Sequence, residues 1–339
     1  MLMRRATLVM VAALVLVGCQ PESPDLATPR HRRHWPASVQ LAPPPPAPDL
    51  GRYAEVSPDD YLVTEQYTQY VSFRTPDGLT CRIEAIEATD AAAGCDGGLH
   101  GTPVPANEVE LYGHPPAALQ VEPDAFRRTS KPRFTAPAGA SPAKTLPVGH
   151  KIVFGDFQCA TAPGAITLCT RGSPVPGWFV LSPARSGIGP RSASLPTRFP
   201  DPHDFVISDQ SYLVGSGARN LFPLFTVASG LKCKIEIFSG GAFGCDGPLP
   251  GAPDGENEIY VDISSSQVGM RKTDSPRFTT PAYPGTIRQL PPMGRIDYTY
   301  ETYCTCLATS DGGVACSADR HGRVQGFVVS AHAAWTFGG

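Results

Sequence analysis

Gly230-Leu231-Lys232-Cys233-Lys234-Ile235-Glu236 repeats an earlier stretch of the same chain, Gly78-Leu79-Thr80-Cys81-Arg82-Ile83-Glu84. In both, apolar residues fall on every second position, the period of a strand with one buried face. The register continues outward. Gly94-Cys95-Asp96-Gly97 returns as Gly244-Cys245-Asp246-Gly247, Asn107-Glu108 as Asn257-Glu258, and Pro132-Arg133-Phe134-Thr135 as Pro276-Arg277-Phe278-Thr279. Leu146-Pro147 matches Leu290-Pro291, and Phe179-Val180-Leu181-Ser182 matches Phe327-Val328-Val329-Ser330. Upstream, Asp60-Tyr61-Leu62-Val63-Thr64 is set against Asp204-Phe205-Val206-Ile207-Ser208. So many blocks in one order mark an internal duplication.

Period-two alternation recurs at Ile259, Val261 and Ile263 and again at Ile296, Tyr298 and Tyr300, while no stretch after the N-terminus sustains a helical stripe. The expected fold is mainly β: two tandem, small, disulfide-stapled antiparallel β domains, each a sandwich or partly open barrel. The expected organisation is a lipoprotein signal peptide at 1–18, a Pro-rich tether at 19–52, a first β repeat at 53–186, a linker at 187–203 and a second β repeat at 204–339.

Composition sets the outer limits. Of 339 residues, 34 are Gly and 37 Pro, so the chain is rich in turns; the 41% of hydrophobic residues still suffices for a core and excludes a wholly disordered chain. A formal charge of −3 supplies no general field for nucleic acid, and none is expected as a partner.

Arg4 and Arg5 precede the apolar run Ala6 to Val17, which is too short to span a bilayer but has the length of a signal-peptide core. Leu16-Val17-Gly18-Cys19 resembles the bacterial lipobox, which implies cleavage before Cys19 and acylation of its sulfur. The expectation is anchoring through lipidated Cys19 at the extracytoplasmic face of the cell membrane, in the cell envelope, where disulfides persist. The tether that follows, which carries Pro43 to Pro46 and the cluster Arg30 to His34, has no helical or strand period.

With Cys19 assigned to lipid, nine cysteines remain. Local pairs repeat in both copies: Cys81 with Cys95, Cys159 with Cys169, Cys233 with Cys245, and Cys316 with either Cys304 or Cys306. The spacing of Cys159 to Cys169 favours Cys306, whereas counting from Gly149 and Gly294 favours Cys304; the adopted pairing is Cys306 with Cys316, leaving Cys304 as the unpaired thiol.

Candidate chemistry is sparse. Cys304, with Asp319 and His321 near in sequence, would suit a nucleophile or exchange site only if the fold brought a base to it, and a buried idle thiol is the simpler reading. Ser141-Pro142-Ala143-Lys144 matches Ser-x-x-Lys in form, but Pro142 denies the helix that this motif needs. Asp254-Gly255-Glu256-Asn257-Glu258 offers oxygens to a hard cation, yet the first copy keeps only Asn107-Glu108, which suits an acidic turn better. His100, His114, His150, His203 and His332 lack metal-site spacing, so no metal and no cofactor is expected. Asp96 and Asp246 are read as turn caps flanked by Gly, and Tyr61, Tyr67, Tyr70, Tyr298, Tyr300 and Tyr303 as sheet packing, with a glycan- or peptide-binding face as their alternative.

The pattern Phe73-x-Thr75-Pro76-x-Gly78-x-x-Cys81, Gly94-Cys95-x-Gly97, Leu146-Pro147, Cys159, Cys169 and Phe179-x-x-Ser182 resembles exported proteins of actinobacterial envelopes, a family with no assigned activity, here met in two tandem copies. The second copy has Ala228 in place of Pro76 and one cysteine more. The expected function is a non-enzymatic binding module for an envelope protein or cell-wall polymer. The alternatives are a thiol-dependent enzyme or exchange factor using Cys304 or Cys306, and a carrier of a small apolar envelope ligand.

Overall fold

The structure is a computed structural model that describes residues 47–65, 68–84, 91–102, 105–113, 124–135, 142–172, 176–190, 195–208, 212–215, 221–237, 241–252, 255–279, 285–299, 302–320 and 322–338. Cys19 and the lipobox lie outside these. The regular elements with both bounds among the described residues are strands and the 3-10 turns Pro58–Tyr61 and Pro202–Asp204.

The first repeat contains β1 (Ala54–Val56), β2 (Leu62–Glu65), β3 (Thr68–Arg74), β4 (Thr80–Glu84), β5 (Ala92–Asp96), β6 (Glu108–Tyr112), β7 (Ala125–Arg127), β8 (His150–Phe154), β9 (Phe157–Ala162), β10 (Ile166–Arg171), β11 (Gly177–Leu181) and β12 (Gly187–Gly189). The second contains β13 (Val206–Ile207), β14 (Leu213–Val214), β15 (Phe222–Thr226), β16 (Lys232–Glu236), β17 (Ala242–Asp246), β18 (Glu258–Asp262), β19 (Gln267–Arg271), β20 (Arg288–Gln289), β21 (Gly294–Thr299), β22 (Tyr303–Ala308), β23 (Val314–Arg320), β24 (Arg323–Val329) and β25 (Ala334–Phe337).

Each repeat is a sandwich of two sheets that do not close into a barrel. In the first, β2 to β7 form one sheet and β1-β8-β9-β10-β11-β12 the other; in the second, β14 to β19, with β20 parallel beside β15, face β13-β21-β22-β23-β24-β25. The alternating residues meet between the layers. Leu79, Cys81, Ile83, Val109 and Leu111 pack in one cluster with Ile152, Phe157 and Phe179, and Cys233, Ile235, Ile259 and Val261 pack with Ile296, Val314 and Phe327. The disulfides Cys81–Cys95, Cys159–Cys169, Cys233–Cys245 and Cys306–Cys316 each join directly opposed residues of neighbouring antiparallel strands, with Cα separations of 4.0 to 4.2 Å. They close loops of 10 to 14 residues, each contributing about 3 kcal/mol on a chain-entropy argument.

Three features were not anticipated. The repeats are not separate sheets: β13 of the second lies parallel between β7 of the first and its own β21, fusing two half-sheets into one of twelve strands. Within the stretch 187–203, Gly187–Gly189 pairs with β11 as β12, and Leu195 and Phe199 are buried. The third feature corrects the upstream register. β1 joins β8 as β13 joins β21, and buried Tyr53 and Phe205 immediately precede the two strands. Tyr61 and Tyr212 are the true counterparts, since their hydroxyls donate to the carbonyls of Thr145 and Gln289, at 3.4 and 3.2 Å, just before the matched Leu146 and Leu290. Hence Asp204 to Ser208 corresponds to the β1 region rather than to Asp60 to Thr64.

Candidate functional site

The repeated polar blocks build a clip. Gly94 on β5 leaves room for the Phe134 ring, which would lie 2.1 Å from any Cβ there; Gly244 does the same for Phe278 at 2.3 Å. Only glycine permits this approach. Asp96 and Glu108 are opposed on β5 and β6, as Asp246 and Glu258 are on β17 and β18. Glu108 Oε2 accepts from the Arg133 backbone N–H at 2.7 Å, and Glu258 Oε2 from that of Arg277 at 2.9 Å. Asp246 Oδ2 accepts from the Phe278 N–H at 2.8 Å, while Asp96 Oδ2 accepts from the Thr135 hydroxyl at 3.3 Å. Asn107 and Asn257 close the clip, each exchanging two hydrogen bonds with the backbone of Thr129 or Thr273. Asp96 and Asp246 are therefore caps, but of a distant loop rather than of their own turn. Burial, with Glu108 alongside, pushes the Asp96 carboxyl up to about 7; burial likewise raises Asp246.

The fused sheet creates a cleft of about 820 Å³ between the repeats. The first repeat contributes Glu108, Glu110 and Tyr112 from β6, Arg127 from β7, and Arg128, Lys131 and Arg133 from the chain beyond. Tyr212, Leu213, Pro223, Ile296, Asp297 and Tyr298 of the second repeat form the facing wall. Arg127 Nε bonds Glu110 at 2.9 Å and its Nη2 donates to the Tyr112 hydroxyl at 3.1 Å. Arg133 bridges Glu110 and Glu84, the latter at 2.6 Å. Burial pushes the Tyr112 phenol up to about 12, keeping it neutral. Arg128 and Lys131 stand exposed at the rim, and among the described residues neither side chain is placed in an ion pair.

Asp297 on the far wall is held by a buried arginine. Arg295, with no exposed surface, bonds Asp297 at 2.8 Å, the Tyr303 hydroxyl at 3.0 Å and the Pro202 carbonyl at 3.2 Å. The last contact fixes the turn that delivers β13 to the junction.

No protein family, curated protein or solved structure matches this chain. The likeness to envelope proteins therefore rests on the quoted sequence blocks alone.

The remaining candidates disperse. Cys304 is fully buried in the second core, and that burial raises its thiol above the ordinary range. It lies opposite Ala318, whereas Asp319 lies opposite Tyr303 and so projects from the other face of the sheet; His321 is outside the described residues. Lys144 sits 3.5 Å from Asp60, and Ser141 is outside the described residues. Asn257 and Glu258 are occupied in the clip, and among the described residues no group of three or more His, Cys, Asp and Glu is placed to hold a metal. Of the tyrosines, Tyr61, Tyr70 and Tyr303 are buried, Tyr298 lines the cleft, and Tyr67 and Tyr300 lie outside the described residues. The Glu110–Arg127–Arg133 network escaped sequence reasoning. Its signal is divergence, because Tyr260 and Asp262 replace Glu110 and Tyr112 in the second copy.

Proposed function

We propose that the protein is a lipid-anchored binding module of the cell envelope, and that its ligand occupies the cleft between the repeats. The observation that carries this reading is the cleft itself, walled by both copies and combining tyrosine faces, ion-paired carboxylates and two exposed cations. Such a lining suits a hydroxyl-rich polymer bearing anionic groups, of which an acidic cell-wall glycan is the nearest class: aromatic rings give rigid contact area, and Arg128 and Lys131 give charge. Anchoring rests on Leu16 to Cys19. The deep burial of Cys304 favours binding over thiol chemistry, and the charged side chains Glu108, Glu110, Arg127, Arg133 and Asp297 in the lining favour it over carriage of an apolar ligand. The deciding experiment is calorimetric titration of the full chain in detergent with acidic and neutral wall oligosaccharides. Saturable binding of the acidic one, weakened about 10-fold in Arg128→Ala/Lys131→Ala, supports the reading; equal binding of both, or of neither, overturns it.

A further inference from the structure

The junction between the repeats is made from two edges, and each edge has a second copy elsewhere in the same chain. β7 has β19 as its counterpart, since Arg127 and Arg271 occupy the same position opposite Glu108 and Glu258. β13 has β1, as the parallel ladders onto β21 and β8 show. Yet among the described residues β19 ends the seven-stranded sheet and β1 ends the six-stranded one. We infer that these two edges bind each other between molecules, so that β1 of one copy adds to β19 of the next and the chain associates head to tail.

Backbone groups are aimed for it. In the junction the Arg128 N–H donates to the Ile207 carbonyl at 3.1 Å, while the neighbouring peptides of Val206 and Ser208 bond toward β21. By the same alternation Ala54 bonds Gly149 of the β8 side, leaving the Glu55 peptide directed to the open edge. On β19 the Arg271 carbonyl is taken by Asn257, which directs the Lys272 N–H outward. Burial differs as expected of a vacant joint: Val206 and Phe126 are 4% and 1% exposed, whereas Ala54 is exposed and Met270 half-buried.

Charge selects the pairing. In the junction's register Glu55, which lies 3.6 Å from Lys151, would lie opposite Arg271, which bonds Glu258 at 2.6 Å, with Lys272 next to it as the further cation; all three are exposed. Two β19 edges would repel each other, and opposite signs favour the head-to-tail partner. Because the two surfaces are different patches, the contact is heterologous and does not stop at two chains unless a ring closes. The ladder is short, so the association is weak and salt-sensitive.

Sedimentation of the full chain in excess detergent, over a series reaching roughly 1 mM, tests this. Glu55→Pro and Lys272→Pro each delete one outward N–H, and circular dichroism checks that each is folded; should either misfold, Glu55→Arg opposes like charges without touching the backbone. The expected result is wild-type mass rising past the dimer, either variant alone monomeric, and an equimolar mixture of the two stopping at a heterodimer, since Glu55→Pro keeps β19 and Lys272→Pro keeps β1. A wild type that stays monomeric, or association untouched by both variants, overturns the inference.

Discussion

Asp96 and Glu108 face one another across neighbouring strands, two buried carboxyl groups that cannot both ionise cheaply. Glu108 is fixed by the Arg133 N–H, so Asp96 is the group that keeps a proton. Its folded-state value is raised from 3.8 to about 7, so between these limits the native chain holds a proton that the unfolded chain has lost. Stability contributed by this group is present below pH 4 and falls as pH rises toward 7. Urea midpoints measured at pH 5 and pH 8 should be higher at pH 5, and Asp96→Asn should narrow the difference, with the raised Asp246 keeping part of it. A midpoint that rises with pH across this window would sink the assignment.

Gly94→Ala places a methyl group against the Phe134 ring and should cost about 2–3 kcal/mol. Phe134→Ala should cost about 3–5 kcal/mol by emptying a fully buried site. Combined, the two should fall well short of additive, because the small ring-free loop accepts the methyl group. Denaturant unfolding of the four proteins checks this; strict additivity would mean the two residues do not act on one contact.

Cys304 should resist thiol reagents in the folded protein and react only after denaturation, since its core position allows neither access nor ionisation. Comparing wild type with Cys304→Ala isolates its signal. Cys304→Ala should also change stability by no more than about 1 kcal/mol, as a small apolar exchange. Rapid labelling at neutral pH would revive the thiol-dependent alternative.

In the cleft, Arg128→Ala and Lys131→Ala together should weaken binding of an acidic oligosaccharide about 10-fold, or about 1.4 kcal/mol, without shifting the melting temperature. Arg133→Ala should behave differently: it leaves Glu84 and Glu110 without their shared cation and should destabilise the fold by about 1–3 kcal/mol. Calorimetry and thermal melts on the same samples separate the two effects.

Strand periods were legible wherever one face meets a core, as at Leu79 to Ile83 and Ile259 to Ile263. The β class followed from them. What sequence could not show were relations fixed by hairpin length and edge pairing. A short acidic-aromatic block sets Tyr61 against Phe205 in sequence, whereas hydrogen bonding shows Tyr212 to be its equivalent. Counting from Gly294 misleads at Cys304 because the β21–β22 hairpin is longer than β8–β9, which places Cys306 opposite Ile296 as Cys159 is opposite Ile152. The clip residues were visible as repeats but not as a clip, since Asp96 and Phe134 meet only through tertiary packing. The cleft depends on β13 inserting beside β7, a long-range event with no local pattern.

That insertion also ties the folding of one half to the other. β13 is bonded on both sides, so melting the second half strips β7 of its neighbour, and melting the first strips β13 of its own. A duplicated chain with two cores should then denature in one cooperative transition, and damage to either core should lower the midpoint of both.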